Sequence, residues 1–378
     1  MNDPHKPPHI LFLFSDTGGG HRSAAEAVIE AIQIEYGERV STQMLDIFKE
    51  VLPRPLNMLP QWYPYMVRLP QAWGLGYRAS NGPHRARLLT ESSWPYVRRT
   101  MRRAIKRHPS SLIVSVHALA NAPFLRALGR SRPPFITLVT DLVTTHALWY
   151  HPGVDLCLVP TEEARQRALR YHMRPEQVRV VGLPVANRFC QPRLDVAALR
   201  QRLGWPTDLP VAVLVGGGEG MGPLEETAQA IAGSGLHLAL VIICGRNQGL
   251  KERLEAQAWP IPTHIYGFVR EMPDFMRAAD VLVTKAGPGT ITEALNAGLP
   301  MILYSRLPGQ EDGNVTYVVS QGAGVWAPSP TEIVIALRHW VQSPTARRQA
   351  AQTCLHLARP QAAREIAHIL AEQVGVKP

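Results

Sequence analysis

The sequence predicts an α/β fold made of two Rossmann-like domains that face each other across a cleft. Residues 9–15 (HILFLFS) form a short apolar run that ends in glycines, and residues 210–215 (PVAVLV) do the same in the second half. A helix-like stretch follows each run, at 23–35 and at 223–232. A buried apolar strand, a glycine turn and a helix form the first βα unit of a parallel sheet. Because this unit begins twice, we expect two domains.

Further apolar runs extend both sheets. We expect strands at 111–117, 135–141, 156–160, 238–244, 263–268, 281–284 and 300–304, and helices at 162–171 and 273–279. The stretch 184–194 contains two prolines and no periodicity, which is typical of a linker. We therefore place the first domain at 1–187, the second at 195–345, and final helices at 346–378 that could pack back on the first domain.

Charge and cysteine content limit the classes of protein. The formal net charge is +10, which indicates nucleic acid, a membrane surface or another anionic ligand as partner. The four cysteines form no C-x-x-C pair, which argues against zinc and fits free thiols in a reducing compartment. The N-terminus lacks the regions of a signal peptide, and runs such as 236–244 are too short to span a membrane. We expect a cytoplasmic protein, soluble or peripheral.

Residues 51–107 differ from the alternating strands and helices expected in the rest of the chain. Residues 57–76 mix Pro, Trp, Tyr, Leu and Met without a strand or helix period. The basic residues that follow are Arg85, Arg87, Arg98, Arg99, Arg102, Arg103, Lys106 and Arg107, against the single acid Glu91. Apolar groups beside clustered arginines are what an interfacial segment on anionic membrane lipids requires. The alternative is a proline-broken core insertion followed by a solvated basic helix.

The first glycine loop, residues 15–23 (SDTGGGHRS), contains the candidate base His21. It matches neither the P-loop nor the G-x-G-x-x-G pattern, so an ATP or nicotinamide site is poorly supported. His21 stands where a strand gives way to a helix, the edge at which doubly wound sheets bind ligands. Histidine can take a proton from a hydroxyl nucleophile, and the glycines let a ligand approach the backbone. The alternative is a helix-capping or core histidine.

Two glycine-rich loops of the second domain are candidate phosphate sites. One is GGGEGMG at 216–222, and the other is KAGPGT at 285–290, which runs into a helix at 291–296. Backbone N–H groups at such loops attract anions, and Lys285 adds positive charge. Glu293, expected in the first turn of that helix, could bond ribose hydroxyls or merely favour the helix dipole. Together the loops suit a nucleotide diphosphate.

Residues 308–314 (PGQEDGN) hold amide and carboxylate side chains that can recognise sugar hydroxyls, unless they form only a polar surface turn. No D-x-D motif occurs in the chain, so the usual metal-binding motif of many nucleotide-sugar enzymes is absent. Lys285 and the loop dipoles would then stabilise a leaving diphosphate. We expect no metal and no other cofactor.

These motifs resemble those of the monogalactosyldiacylglycerol synthases and the related bacterial processive diacylglycerol glucosyltransferases. More distantly they are similar to the enzyme that adds N-acetylglucosamine to the peptidoglycan lipid precursor. The matching motifs are SDTGGGHRSAAEA, SVHAL, VTDLVTTHALWYH, VVGLP, GGGEGMGPLE, ICGRN, GFVREM, TKAGPGTITEAL and PGQEDGNVTYVV. The resemblance implies a GT-B fold, an inverting mechanism and a UDP-sugar site mostly on the second domain.

The resemblance also implies roles for single residues. His21 would be the general base, with Asp141 as a second catalytic residue, and Gly19, Gly20 and Trp149 would face the acceptor. The UDP-sugar residues would be Gly216, Gly217, Gly218, Phe268, Val269, Met272, Lys285, Gly287, Gly289, Thr290, Glu293, Gln310, Glu311 and Asn314. Plant members read Cys-His-Pro where this chain has Thr145-His146-Ala147, so the acceptor pocket can differ in detail.

The resulting hypothesis is transfer of galactose from UDP-galactose to the free hydroxyl of 1,2-diacylglycerol. The enzyme would be bacterial, since no transit peptide precedes the first strand, and peripheral on the inner face of the cell membrane. UDP-glucose as donor and a polyprenyl-linked precursor as acceptor remain alternatives. A nucleic-acid-binding protein is suggested by the charge alone, and it leaves His21 without a purpose, so we expect no nucleic-acid partner.

Overall fold

The computed structural model describes residues 6–17, 19–67, 69–191, 195–218, 220 and 222–377. They form two compact units. The first comprises Met1–Asn187, Leu307–Gln310 and Arg359–Pro378, and the second comprises Arg188–Arg306 and Glu311–Ala358. The change from the first unit to the second therefore lies inside the expected linker, of which residues 192–194 are outside the described residues.

The sheet of the first unit has six parallel strands. They are β1 (His9–Phe14), β2 (Ser41–Asp46), β3 (Leu112–Ser115), β4 (Phe135–Leu138), β5 (Leu156–Val159) and β6 (Val178–Val180). Their order is β2-β1-β3-β4-β5-β6. Sequence analysis found the four inner strands, because strands buried on both faces are continuous apolar runs. It missed β2 and β6, which lie at the edges and are partly exposed.

Within the described residues, six α-helices precede the second unit. They are α1 (Gly20–Tyr36), α2 (Leu59–Met66), α3 (Pro70–Ser80), α4 (Pro83–Arg107), α5 (Asn121–Leu128) and α6 (Glu162–Arg170). The region in which sequence analysis found no period is therefore helical. In α4 the buried residues Trp94, Val97, Met101 and Ala104 share one face, and the helix continues through Pro95. The arginines of α4 lie mostly on its exposed faces.

The sheet of the second unit is also parallel and six-stranded. Its strands are β7 (Val211–Val215), β8 (Ala239–Ile243), β9 (Thr263–Tyr266), β10 (Val281–Lys285), β11 (Met301–Ser305) and β12 (Gly324–Trp326). Their order is β12-β11-β10-β7-β8-β9. Only the short edge strand β12 was missed. Two parallel sheets flanked by helices confirm the α/β fold class.

The helices of the second unit are α7 (Val196–Leu203), α8 (Leu224–Ala232), α9 (Gln248–Glu255), α10 (Met272–Ala278), α11 (Pro288–Ala297), α12 (Asp312–Ser320), α13 (Pro330–Gln342) and α14 (Pro344–Leu357). Because α11 begins at Pro288, Glu293 lies in its second turn, and its expected place in the first turn is wrong. Proline is favoured at the first helical position, where its missing N–H costs nothing, and this sets the earlier start.

The last helix, α15 (Ala362–Gln373), packs against α1 and belongs to the first unit. The preceding helix α14 packs on α11 and α13 and stays in the second unit, so the segment expected at 346–378 is divided between the units. Within the described residues, no helix combines the length and hydropathy that a membrane span requires.

Candidate active site

His21 lies in the first turn of α1, at the carboxyl edge of the first sheet. Strand β1 ends at Phe14, and Gly19 caps α1 with a φ of 78°, a left-handed conformation that glycine adopts without strain. A Cβ atom added to Gly19 or Gly20 would meet nothing within 4 Å. The two glycines therefore leave open space beside His21, while Gly18 lies outside the described residues.

The imidazole of His21 is contacted by residues that follow the neighbouring strands β3 and β4. Its Nδ1 lies 2.7 Å from Thr140 Oγ1, and its ring centre lies 4.7 Å from that of His117 and 6.0 Å from that of Trp149. Burial lowers the pKa of His21 to about 4, while a hydrogen bond to the Val116 backbone acts in the opposite direction. His21 is therefore neutral at neutral pH and can accept a proton.

His117 was not among the predicted site residues, although the SVHAL motif contains it. The ring is buried, and its Nδ1 accepts a hydrogen bond from Leu119 N at 3.3 Å. Burial, followed by the proximity of His21, holds the pKa of His117 well below its usual value. Its position just after β3 was the available signal, because parallel strands bring their carboxyl ends to one edge.

The Asp141 carboxylate is bound by two side chains. Trp149 Nε1 donates to Oδ2 at 2.7 Å, and Gln310 Nε2 donates to Oδ1 at 3.1 Å. Gln310, expected on the second domain, thus belongs to the first unit. Asp141 lies beside the Thr140 that binds His21, and its carboxylate orients Trp149 and Gln310. Its expected catalytic role stays a prediction.

In the second unit, Lys285 lies between the two glycine-rich loops. A Cβ atom on Gly217 would be 3.3 Å from Lys285 Cε, and one on Gly287 would be 2.9 Å from Lys285 Nζ. The ammonium donates to Oε1 of the buried Glu311 at 3.0 Å. The fold thus places the two candidate phosphate loops against the same lysine side chain.

The first of these loops is packed backbone against backbone. A Cβ atom on Gly220, whose φ is 60°, would lie 2.1 Å from Cys244 O, and one on Gly245 would lie 2.4 Å from Gly218 O. Arg246 N donates to Gly218 O at 2.9 Å. Only glycine fits such contacts, so these glycines set the shape of the loop. Glu219 and Met221 of the same loop lie outside the described residues.

We expect Gly220→Ala to destabilise the second unit by about 1–3 kcal/mol more than Gly235→Ala. Gly235 has a comparable φ of 70°, but an added Cβ would meet nothing within 4 Å there. The two variants therefore share the backbone strain and differ in the clash. Urea unfolding measures the difference, and equal losses of stability would show that the loop has room to move.

The loop after β9 presents an exposed aromatic ring. Phe268 is 57 % exposed, and the Arg246 guanidinium lies 4.9 Å from its ring centre. Val269 and Met272 beside it are partly exposed. A solvent-facing ring at the carboxyl edge of a sheet can stack on a flat base. Arg246 was not among the predicted site residues, although the ICGRN motif contains it.

The N-terminus of α11 supplies backbone donors beside Lys285. Gly287 caps the helix, and Gly289 and Thr290 lie in its first turn, where backbone N–H groups have no partner within the helix. Burial raises the pKa of Glu293 in the next turn to about 7, and the Arg188 charge acts in the opposite direction. A helix end of this kind binds anions.

Asn314 anchors the loop that follows β10. Its Nδ2 donates to Ala286 O at 2.9 Å, and its Oδ1 is buried without a partner among the described residues. Asn314 is 1 % exposed, so it supports the loop from the protein interior. No group of three or more His, Cys, Asp or Glu side chains suited to a metal ion occurs within the described ranges.

Comparison with known proteins identifies the family to which the chain belongs. The family model for monogalactosyldiacylglycerol (MGDG) synthase matches residues 21–185, and that for the glycosyltransferase family 28 C-terminal domain matches 211–363. The chain is 39 % identical over 371 residues to "Probable monogalactosyldiacylglycerol synthase 2, chloroplastic" of Oryza sativa subsp. japonica, covering 95 % of this chain and 79 % of the relative. The chain belongs to the MGDG synthase family. It is a glycosyltransferase.

The MGDG synthase family assignment agrees with the fold. Acinetobacter baumannii MurG superimposes with a TM-score of 0.62 at 16 % identity, covering 97 % of this chain and all of that one. Anabaena HepE in complex with UDP-glucose superimposes with a TM-score of 0.57 at 14 % identity, covering 97 % of this chain. At such identities the likeness concerns the fold alone, and it confirms GT-B. The rice relative is a chloroplast protein by name, so the expected bacterial origin stays a prediction.

Proposed function

We propose that this member of the MGDG synthase family transfers galactose from UDP-galactose to the free hydroxyl of 1,2-diacylglycerol, with inversion at the anomeric carbon. The observation that carries the proposal is the neutral His21, held by Thr140 beside two unobstructed glycines. Family membership supports the choice of galactose and diacylglycerol, because the rice relative is named as an MGDG synthase.

The donor site proposed here is the second unit. The diphosphate would lie against Lys285 and the N-terminus of α11, and the uracil would stack on Phe268. Glu293 would accept hydrogen bonds from the ribose hydroxyls. The fold relative HepE was solved with UDP-glucose, which supports a UDP-sugar as ligand. As the bond from the anomeric carbon to the diphosphate breaks, Lys285 and the loop N–H groups would stabilise the charge on the leaving UDP.

The base proposed here is His21. The acceptor hydroxyl would attack the anomeric carbon on the face opposite UDP while His21 takes its proton. In the tautomer whose Nδ1–H donates to Thr140 Oγ1, the nitrogen that takes the proton is Nε2. A base whose pKa is about 4 is unprotonated throughout the neutral range, so no prior deprotonation is required.

The proposal is tested with purified protein, diacylglycerol in anionic vesicles, and either UDP-galactose or UDP-glucose, with EDTA present. Galactolipid that forms in EDTA supports the galactosyl assignment and chemistry without a metal. Glucolipid would move the protein to the glucosyltransferase branch. No product from either donor would overturn the acceptor assignment, and polyprenyl-linked substrates would be tested next.

Donor use should depend on pH through Glu293. Because its pKa is about 7, Glu293 loses its charge as the pH falls, and with it the capacity to accept two ribose hydrogen bonds. We expect kcat/KM for UDP-galactose to fall about tenfold from pH 8 to pH 6, since this ratio reports the free enzyme. Glu293→Gln should give a low, flat profile over the same range. If the fall in kcat/KM between pH 8 and pH 6 persists in Glu293→Gln, a group other than Glu293 causes it.

We also propose anionic membrane lipids as a partner of α2, α3 and α4, which pack in succession. Large apolar side chains on and beside these helices are each at least 43 % exposed: Trp62, Tyr65, Leu69, Leu75, Leu88, Leu89 and Tyr96. The second half of α4 adds exposed arginines. Apolar groups that enter the interface, together with cations that bind headgroups, support a peripheral attachment.

Replacing two of these arginines should weaken vesicle binding. Each basic residue near an anionic surface contributes about 1 kcal/mol, so Arg98→Gln/Arg102→Gln should lower the partition coefficient about 30-fold. Arg170→Gln/Arg179→Gln removes the same charge from exposed positions on α6 and β6 and serves as control. Sedimentation with anionic and with neutral vesicles measures the effect. Equal losses in the two variants would contradict a site on α4.

A further inference from the structure

Helix α3 contacts the segment Leu307–Gln310, which belongs to the first unit. Gly74 and Tyr77 are the buried residues of this helix, whereas Leu75 and Gly76 between them are exposed. Residues three apart lie on one helical face. Gly74 and Tyr77 therefore form the face of α3 that packs inward.

Both residues contact the segment through positions where glycine is required. A Cβ atom on Gly74 would lie 2.8 Å from Pro308 Cβ and 3.3 Å from Pro308 O. Gly309 has a φ of 84°, and a Cβ atom there would lie 2.9 Å from Tyr77 Cδ1. The helix and the segment thus approach each other more closely than a Cβ atom at Gly74 or Gly309 would allow.

Tyr77 also contacts the segment that contains Thr144 and His146. Its Oη donates to Thr144 O at 2.9 Å, and its ring lies edge-on to His146 with centres 4.9 Å apart. Asp141, on the same stretch of chain, accepts from Gln310 Nε2 at 3.1 Å. The stretches 141–146 and 308–310 are therefore both anchored on α3 and joined to each other.

We propose that Gly74 and Tyr77 are positioning residues for the donor sugar. Their contacts with Pro308 and Gly309, the α3 clamp, set the place of Gln310. The inference rests on the proposed function in assigning the Gln310 side chain to the hexose. The clamp contributes to recognition of the sugar and leaves the UDP moiety to the second unit.

The test compares Gly74→Ala with Gly76→Ala. Both replace a glycine of α3 by a better helix former, so both strengthen the helix. Only the first adds a clash, because a Cβ atom on Gly76 meets nothing within 4 Å. We expect Gly74→Ala to accelerate hydrogen exchange in peptides covering 307–316 and to weaken UDP-galactose binding about tenfold, the loss of one or two hydrogen bonds. The affinity for UDP should not change.

Tyr77→Phe provides a milder second variant, since it removes only the bond to Thr144, and we expect about a threefold loss of UDP-galactose affinity. The clamp is overturned if Gly74→Ala and Gly76→Ala behave alike in exchange and in binding. It is also overturned if Gly74→Ala weakens UDP as much as UDP-galactose. Absence of galactolipid formation by the wild type would refute the proposed function, and the exchange comparison would still decide whether α3 holds the segment.

Discussion

His21→Ala should lower kcat for galactolipid formation by about 10²–10⁴-fold, the usual contribution of a general base. The residues on which this expectation rests all lie in the first unit. His21 is neutral, its Nδ1 is bound by Thr140, and the glycines beside it leave room for a hydroxyl. The substitution removes the imidazole that is assigned to take the proton from the acceptor hydroxyl. Initial rates at saturating UDP-galactose and diacylglycerol measure the loss.

Binding of UDP should survive this substitution, because its expected contacts lie in the other unit. Calorimetric titration of UDP into His21→Ala therefore separates a missing base from a damaged protein. His356→Ala, at an exposed position on α14, controls for loss of an imidazole. If His21→Ala retains more than a tenth of the wild-type kcat, His21 is not the base, and its contact with Thr140 is structural.

Lys285→Met should weaken UDP binding by about 10- to 100-fold, since a hydrogen bond to a charged group contributes about 1.5–3 kcal/mol. Methionine keeps an unbranched side chain against Gly217 and removes the ammonium that lies between the loops. The backbone N–H groups at the N-terminus of α11 remain, so binding is weakened and not abolished. Fluorescence or calorimetric titration with UDP gives the dissociation constants.

The ion pair with Glu311 requires its own control, because Lys285→Met also breaks that contact. Glu311→Gln removes the carboxylate charge and keeps the ammonium. We expect it to leave UDP affinity unchanged and to weaken UDP-galactose. If Glu311→Gln weakens UDP as much as Lys285→Met does, the ion pair maintains the loop and Lys285 does not act on the diphosphate directly.

How much of the fold was predictable depended on burial. The inner strands of both sheets were found because burial on two faces makes them continuous apolar runs. The edge strands β2, β6 and β12 are shorter or partly exposed, and their sequences carry weaker patterns. Helices α2 and α3 were missed for a related reason. Several of their large apolar side chains face outward, so hydrophobic periodicity does not mark an inner face.

The candidate site was predictable where it is local. His21 after a strand, the glycine loops and Lys285 are each contained in a few consecutive residues. Contacts over long sequence distances were not predictable. The bond of His21 to Thr140 joins residues 119 positions apart, and the α3 clamp joins residues of α3 to a segment far along the chain.

The sequence by itself determined the fold class, the family, and which loops end at the carboxyl edges of the strands, because these properties depend on patterns within short windows. Only the tertiary structure decided the partners. It placed Thr140 on His21 Nδ1, Lys285 between two loops, and Gly74 against Pro308. Such choices depend on distances of a few tenths of an ångström between side chains that separate strands and helices bring together, and no periodicity along the chain encodes them.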